Sequence, residues 1–137
     1  MKPMSRRAIR RERGSFSLLI AVLGIALLVA IGLVVDGGRY ITAAQLADNA
    51  AGEAGRAAGQ HITAQAVTGQ APQADTARAV QAAQDYLAAA RVDGAVTVAG
   101  DEITISTTVR RTPVLLTVAG VSSITATGTA TVRLTRG

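Results

Sequence analysis

The chain has 137 residues, no cysteine, a single histidine and three aromatic residues, with a formal net charge of +5. All of that excess lies in the first thirteen residues, where Lys2, Arg6, Arg7, Arg10, Arg11 and Arg13 are opposed by Glu12 alone; beyond them eight arginines balance eight carboxylates. The basic balance is therefore not a nucleic-acid signal, and the aromatics that would stack on bases are missing. Without cysteine there is no disulfide framework and no thiol chemistry.

The basic leader, residues 1–14, runs directly into Ser15–Val35, SFSLLIAVLGIALLVAIGLVV, which carries no charged side chain over 21 positions. At about 1.5 Å per residue a helix of that length covers roughly 31 Å, the hydrocarbon thickness of a bilayer, so one membrane crossing is expected. The positive-inside rule keeps Lys2, Arg6, Arg7, Arg10, Arg11 and Arg13 in the cytoplasm and sends the rest of the chain, from about residue 36, outside the plasma membrane. Phe16 and Tyr40 flank the span, and Tyr40 suits an interfacial ring. The alternative is a secretory signal whose removal releases a soluble exported binding domain. The apolar run is longer than a usual signal core and continues into Val34-Val35-Asp36-Gly37-Gly38 with no A-x-A-like site. The pair Arg6-Arg7 is weak as a twin-arginine signal in so arginine-rich a leader.

Residues 36–65 read as an alanine-rich continuation of the helix, with Asp36-Gly37-Gly38 a weak point where it could bend. Tyr40, Ala44, Ala47, Ala51, Ala54 and Ala58 follow alternating steps of four and three, a heptad-like seam. Such a seam admits a close neighbour and is expected to pack against helices of other subunits; glycines at 52, 55 and 59 would be costly in a helix chosen for propensity alone. Asp36 closes the span and is expected to reach the outer headgroups. Small residues at Ala26, Ala30, Gly37 and Gly38 would let another helix come close.

Residues 66–137 read as a small extracytoplasmic α+β domain. A loop at 66–74 precedes a second helix from Asp75 to Arg91, capped by Asp75 or Thr76, lined on one face by Ala79, Val80, Ala83, Tyr86, Leu87 and Ala90, and ended by Asp93-Gly94. The period then becomes two: Val96 and Val98 form a short strand, Gly100-Asp101 a turn, and Ile103, Ile105, Thr107 and Val109 alternate with polar residues to complete a hairpin. Pro113–Gly120 reads as a strand or a short helix, with Gly120 favouring the helix. In the tail, Ile124, Ala126, Gly128, Ala130, Val132 and Leu134 share one face, giving two helices on one side of a three-stranded antiparallel sheet. The core must be poor in large side chains and marginal alone, which argues for a partner.

Catalysis is not expected. His61 has no second ligand type beside it, the carboxylates stand singly, Ser122-Ser123 lacks a nucleophile-elbow context, and no glycine-rich phosphate loop follows a strand. No cofactor, metal or small-molecule substrate is implied.

Glu12-Arg13-Gly14-Ser15, the apolar span, Asp36-Gly37-Gly38-Arg39 and Asp48-Asn49-Ala50-Ala51 resemble, in that order, the TadE/TadG-like pilus-assembly proteins, and the closing strand from Val118 looks like that family's last strand. The resemblance implies a pilin-like or accessory component of the Flp (tight-adherence) pilus machinery, anchored in the plasma membrane, with other pilus-assembly or secretion subunits as partners through helix packing. It places a candidate leader cleavage between Gly14 and Ser15. Processed members often carry a Glu five residues beyond the cleavage glycine; Leu19 stands there, and Gly52 replaces the second Asp of the alanine segment. The chain thus looks more like the uncleaved, TadG-like members.

Overall fold

A computed structural model describes residues 8–66 and 72–133. Two helices, α1 (Ala8–Ala66) and α2 (Pro72–Ala90), are followed by three strands, β1 (Asp93–Ala99), β2 (Glu102–Arg111) and β3 (Ile124–Arg133), in an antiparallel sheet of order β1-β2-β3. The architecture is α+β, with α1 lying on β2 and β3 and α2 on α1 and β1.

Helix α1 is one element of 59 residues, roughly 90 Å long at the α-helical rise. It does not break at Gly37-Gly38, where the Thr42 hydroxyl donates to the Gly38 carbonyl at 3.0 Å. Its two halves differ in what surrounds them. From Phe16 to Val35 the large apolar side chains stand exposed, whereas Ala43, Ala47, Ala50, Ala51, Ala54 and Ala58 are buried. The buried alanines form the domain's floor, so the extension helix is not a separate unit beside the α+β domain but its central element.

The sheet explains why alanine suffices there. Ile103, Ile105, Thr107 and Val109 point from β2 into the core, and Ala126 and Gly128 from β3, as the period-two pattern predicts. Thr107 and Gly128 are register partners, and both press on Ala47. The Thr107 hydroxyl donates to the Ala47 carbonyl at 2.7 Å, and a Cβ on Gly128 would come within 2.5 Å of the Ala47 carbonyl oxygen and the Asp48 nitrogen. Strand and helix backbones are in contact at this point, a separation only a side-chain-free residue permits. Ile103 and Ile105 are the largest fully buried apolar side chains.

Several boundaries differ from expectation. Helix α2 begins at Pro72, a residue suited to a first helical turn, so Asp75 and Thr76 lie inside it rather than capping it. The helix ends at Ala90, not at Asp93-Gly94, which open β1. Arg91 adopts a left-handed φ of 54°, while the Arg91 and Val92 amides donate to Ala88 and Leu87 carbonyls. That bonding pattern is a Schellman closure, with arginine where glycine would be easier. Gly100 opens the two-residue hairpin turn with the positive φ such turns need. Of the expected loop at 66–74, Ala66 closes α1 and residues 72–74 open α2; residues 67–71 and the inward Leu134 lie outside the described residues.

Gly128 of β3 and Gly52 of α1 give a matched pair of predictions, readable by thermal or urea unfolding of the full chain in detergent. Gly128→Ala forces sheet and helix apart and should destabilise by about 2 kcal/mol or more. Gly52 faces open space, so Gly52→Ala should stabilise by about 0.8–1 kcal/mol.

Candidate functional site: the Asp36 clamp

Asp36 is 1% exposed, and its carboxylate is not directed into a headgroup layer. It accepts three backbone hydrogen bonds: from Val114 to Oδ1 at 2.7 Å, and from Leu115 and Leu116 to Oδ2 at 3.0 and 2.8 Å. Three consecutive amides converging on one carboxylate form the geometry by which a helix start binds an anion. The segment that supplies them is the β2–β3 connection. Pro113 fixes the entry, and the Thr117 hydroxyl donates back to the Pro113 carbonyl at 2.6 Å.

That connection is neither a strand nor a regular helix. Val118, Ala119 and Gly120 donate to Leu115, Leu116 and Thr117, three residues back, and Val121 donates to Leu116. Gly120, at φ 86°, closes it as a left-handed cap of the kind the sequence suggested. The turn's amides are thus almost all occupied, either by Asp36 or within the turn. Arg39, one helical turn above Asp36, donates from Nη1 to the Thr112 carbonyl at 3.1 Å. Both charged residues of Asp36-Gly37-Gly38-Arg39 therefore hold the same stretch of chain, some 75 residues away in sequence.

Below the clamp the turn folds back along α1. Leu115 lies against Gly32, where a Cβ would meet the Leu115 Cδ1 at 2.5 Å. Between turn and helix runs an apolar groove of about 360 Å³ lined by Ile25, Leu28, Gly32, Leu33, Leu115 and Val118 among others. Val118 at the tip is 87% exposed, and Val114 and Val121 are also exposed.

The amides of Val114 and Leu116 hold the Asp36 carboxyl below the ordinary carboxylate range; burial opposes them, and the Leu115 amide and the Arg39 charge add to them. A depressed pKa means that ionisation and folding support each other.

The residues singled out in sequence fall as follows. Ala47, Ala51, Ala54 and Ala58 of the seam are fully buried by the chain's own sheet and second helix, Ala44 is half-buried, and Tyr40 is exposed. The expectation that neighbouring subunits occupy this seam is corrected: its width is taken up by the chain's own β-strands and α2. Ser15 and Val35 lie on exposed turns of α1, as does Gly14. Arg10, Arg11 and Arg13 fall within the first turns of α1, and Lys2, Arg6 and Arg7 lie outside the described residues. His61 is exposed. Among the described residues no three histidine, cysteine, aspartate or glutamate side chains gather where they could hold a metal. The expectation that Asp36 reaches outer headgroups is overturned by its three amide partners. Sequence reasoning placed a short element at Pro113–Gly120 but missed its attachment to Asp36; the hint was a run free of charge from Thr112 to Val132.

Comparison with family models, curated proteins and solved structures finds no match for this chain.

Asp36→Asn in the full chain should speed hydrogen exchange at the Val114–Leu116 amides by about tenfold or more, with exchange in β2 little changed. For the native chain the same protection should be present above the ordinary carboxylate pKa, near pH 4, and fall as pH drops below it through the lower folded-state value. Equal protection of these amides in Asp36→Asn and in the native chain at neutral pH would contradict the clamp.

Proposed function

We propose that the chain is a membrane-anchored, non-catalytic accessory or minor pilin-like component of Flp pilus assembly, with its basic leader in the cytoplasm and its α+β domain outside. The observation that carries this reading is the division of α1. One unbroken helix presents a 21-residue uncharged half with its side chains bare and uses its other half as the core of a small domain. A bare apolar surface of that size is unfavourable in water and is satisfied in lipid. The basic residues before it set the orientation.

The order of the Glu12–Ser15, Asp36–Arg39 and Asp48–Ala51 motifs supports the pilus assignment, and Asp36 and Arg39 give the middle motif a physical task at the point where the helix leaves the span. Release of a soluble domain by a cut near residue 36 is the weaker reading. Such a cut would fall beside a residue that anchors the β2–β3 connection. With the alanine seam occupied internally, contact with other assembly subunits is left to the outward face of α1 and to the sheet's exposed side.

Mass spectrometry of the chain recovered from carbonate-washed membranes should find either an intact start or one that begins at Ser15. Deletion of the gene should abolish pilus assembly. A soluble product starting near residue 36, or normal pili without the chain, would overturn the proposal.

A further inference from the structure

The β2–β3 turn lies below Asp36, on the same side as the span. It contacts Gly32 through Leu115 and shares a groove with residues as far down α1 as Ile25, eleven positions before Asp36 and so about 16 Å along the axis. If residues 15–35 cross the bilayer, that stretch of α1 is the outer half of the crossing. The turn beside it cannot then be in water.

Shifting the membrane to free the turn fails on length and charge. With the outer surface drawn at Ile25, only ten uncharged residues would be left, roughly 15 Å of helix against a hydrocarbon layer of about 30 Å. Arg13, Glu12, Arg11 and Arg10 would have to enter lipid to make up the difference, and charges at such depth are strongly disfavoured.

The turn satisfies all but one of its backbone N–H donors from Val114 to Val121 within the protein, the main demand that lipid makes on irregular backbone. Hydrocarbon offers no hydrogen bonds, so amides must be satisfied within the protein. Val114, Leu115 and Leu116 donate to Asp36, and Val118 to Val121 donate within the turn. No charged side chain occurs from Thr112 to Val132; Val114, Leu115, Val118 and Val121 are exposed apolar residues, and the hydroxyl of exposed Thr117 is spent on the Pro113 carbonyl. Beyond the amide-held Asp36, the next charges above it are Arg39, Arg110 and Arg111, all exposed and suited to phosphate headgroups. The exposed apolar tip is continuous with the bare apolar surface of α1.

We propose that the Pro113–Val121 turn is a second membrane element, a wedge seated in the outer leaflet beside the span, with lipid acyl chains packed on Val118 and in the groove against Ile25 and Leu28. It fixes the domain's height and tilt on the membrane, because a domain held at two points cannot swivel about the helix. This rests on the reading that residues 15–35 cross the bilayer, and the test separates the two.

The chain lacks cysteine, so single fluorophores can be attached to the full-length protein in phosphatidylethanolamine and phosphatidylglycerol vesicles through Val118→Cys, Val121→Cys, Leu23→Cys in the span, or Thr127→Cys on the exposed side of β3. Labels at 118 and 121 should be quenched by lipids brominated in the acyl chain to within about twofold of the label at 23, and should be at least about fivefold less sensitive than the label at 127 to iodide present on both sides of the membrane. Iodide quenching at 118 and 121 with lipid quenching at 23 would overturn the wedge and leave the span standing. Shielding from both quenchers would overturn it in favour of a second copy of the chain covering the tip. Iodide quenching at 23 would overturn the span and the wedge together.

Discussion

A single carboxylate fastens the two ends of this fold to each other. Asp36 sits where the apolar half of α1 gives way to the alanine-rich half, and it collects the amides of Val114, Leu115 and Leu116 from a connection that the chain reaches only after a second helix and two strands. An ionised carboxylate with three donors in line is among the stronger neutral-to-charged hydrogen-bonding arrangements a protein can make. Without it the turn would leave three amides unsatisfied beside an apolar helix face, which is costly wherever water is scarce. The clamp thus allows an irregular, apolar connection to lie along α1 at all.

The rest of the domain is built to bring that connection into place with very little side-chain bulk. Alanines on α1 let the sheet approach until Gly128 touches the helix backbone, and Thr107 uses the closeness to bond the Ala47 carbonyl. Close approach substitutes for size: dispersion contacts between backbones replace those that large aliphatic residues would make. The cost is intolerance, since a methyl group at position 128 has no room. Exposed ion pairs such as Arg56 with Glu53 and Arg133 with Glu102 add little by comparison.

Much of this could be read from residues alone, for reasons that are local. The apolar span, the alternation of Ile103, Ile105, Thr107 and Val109, and the face of Ala79, Ala83 and Leu87 are periodic signals that survive without knowledge of neighbours. What escaped was long-range or idiosyncratic. The seam of Ala47, Ala51, Ala54 and Ala58 was visible as a packing surface, but periodicity does not say whether the neighbour is another subunit or the chain's own sheet. Pro72 opens α2 in place of a polar cap, and Arg91 takes a conformation usually left to glycine. The pairing of Asp36 with amides some 80 residues away has no spacing that a sequence pattern could reveal, because the donors are backbone groups and carry no residue identity.

The central claim is that the β2–β3 turn rides on the span face of α1 immediately below Asp36, and cross-linking across that contact tests it most directly. With cysteines introduced together at Gly32 and Leu115, whose β-carbons would lie 2.8 Å apart, so that the turn need ease outward by only about 1 Å to reach disulfide spacing, mild oxidation of the full chain in lipid vesicles should give a bond within one chain, seen by peptide mapping. Bonds formed only between separate chains, or no bond under conditions that oxidise both thiols, would contradict the account.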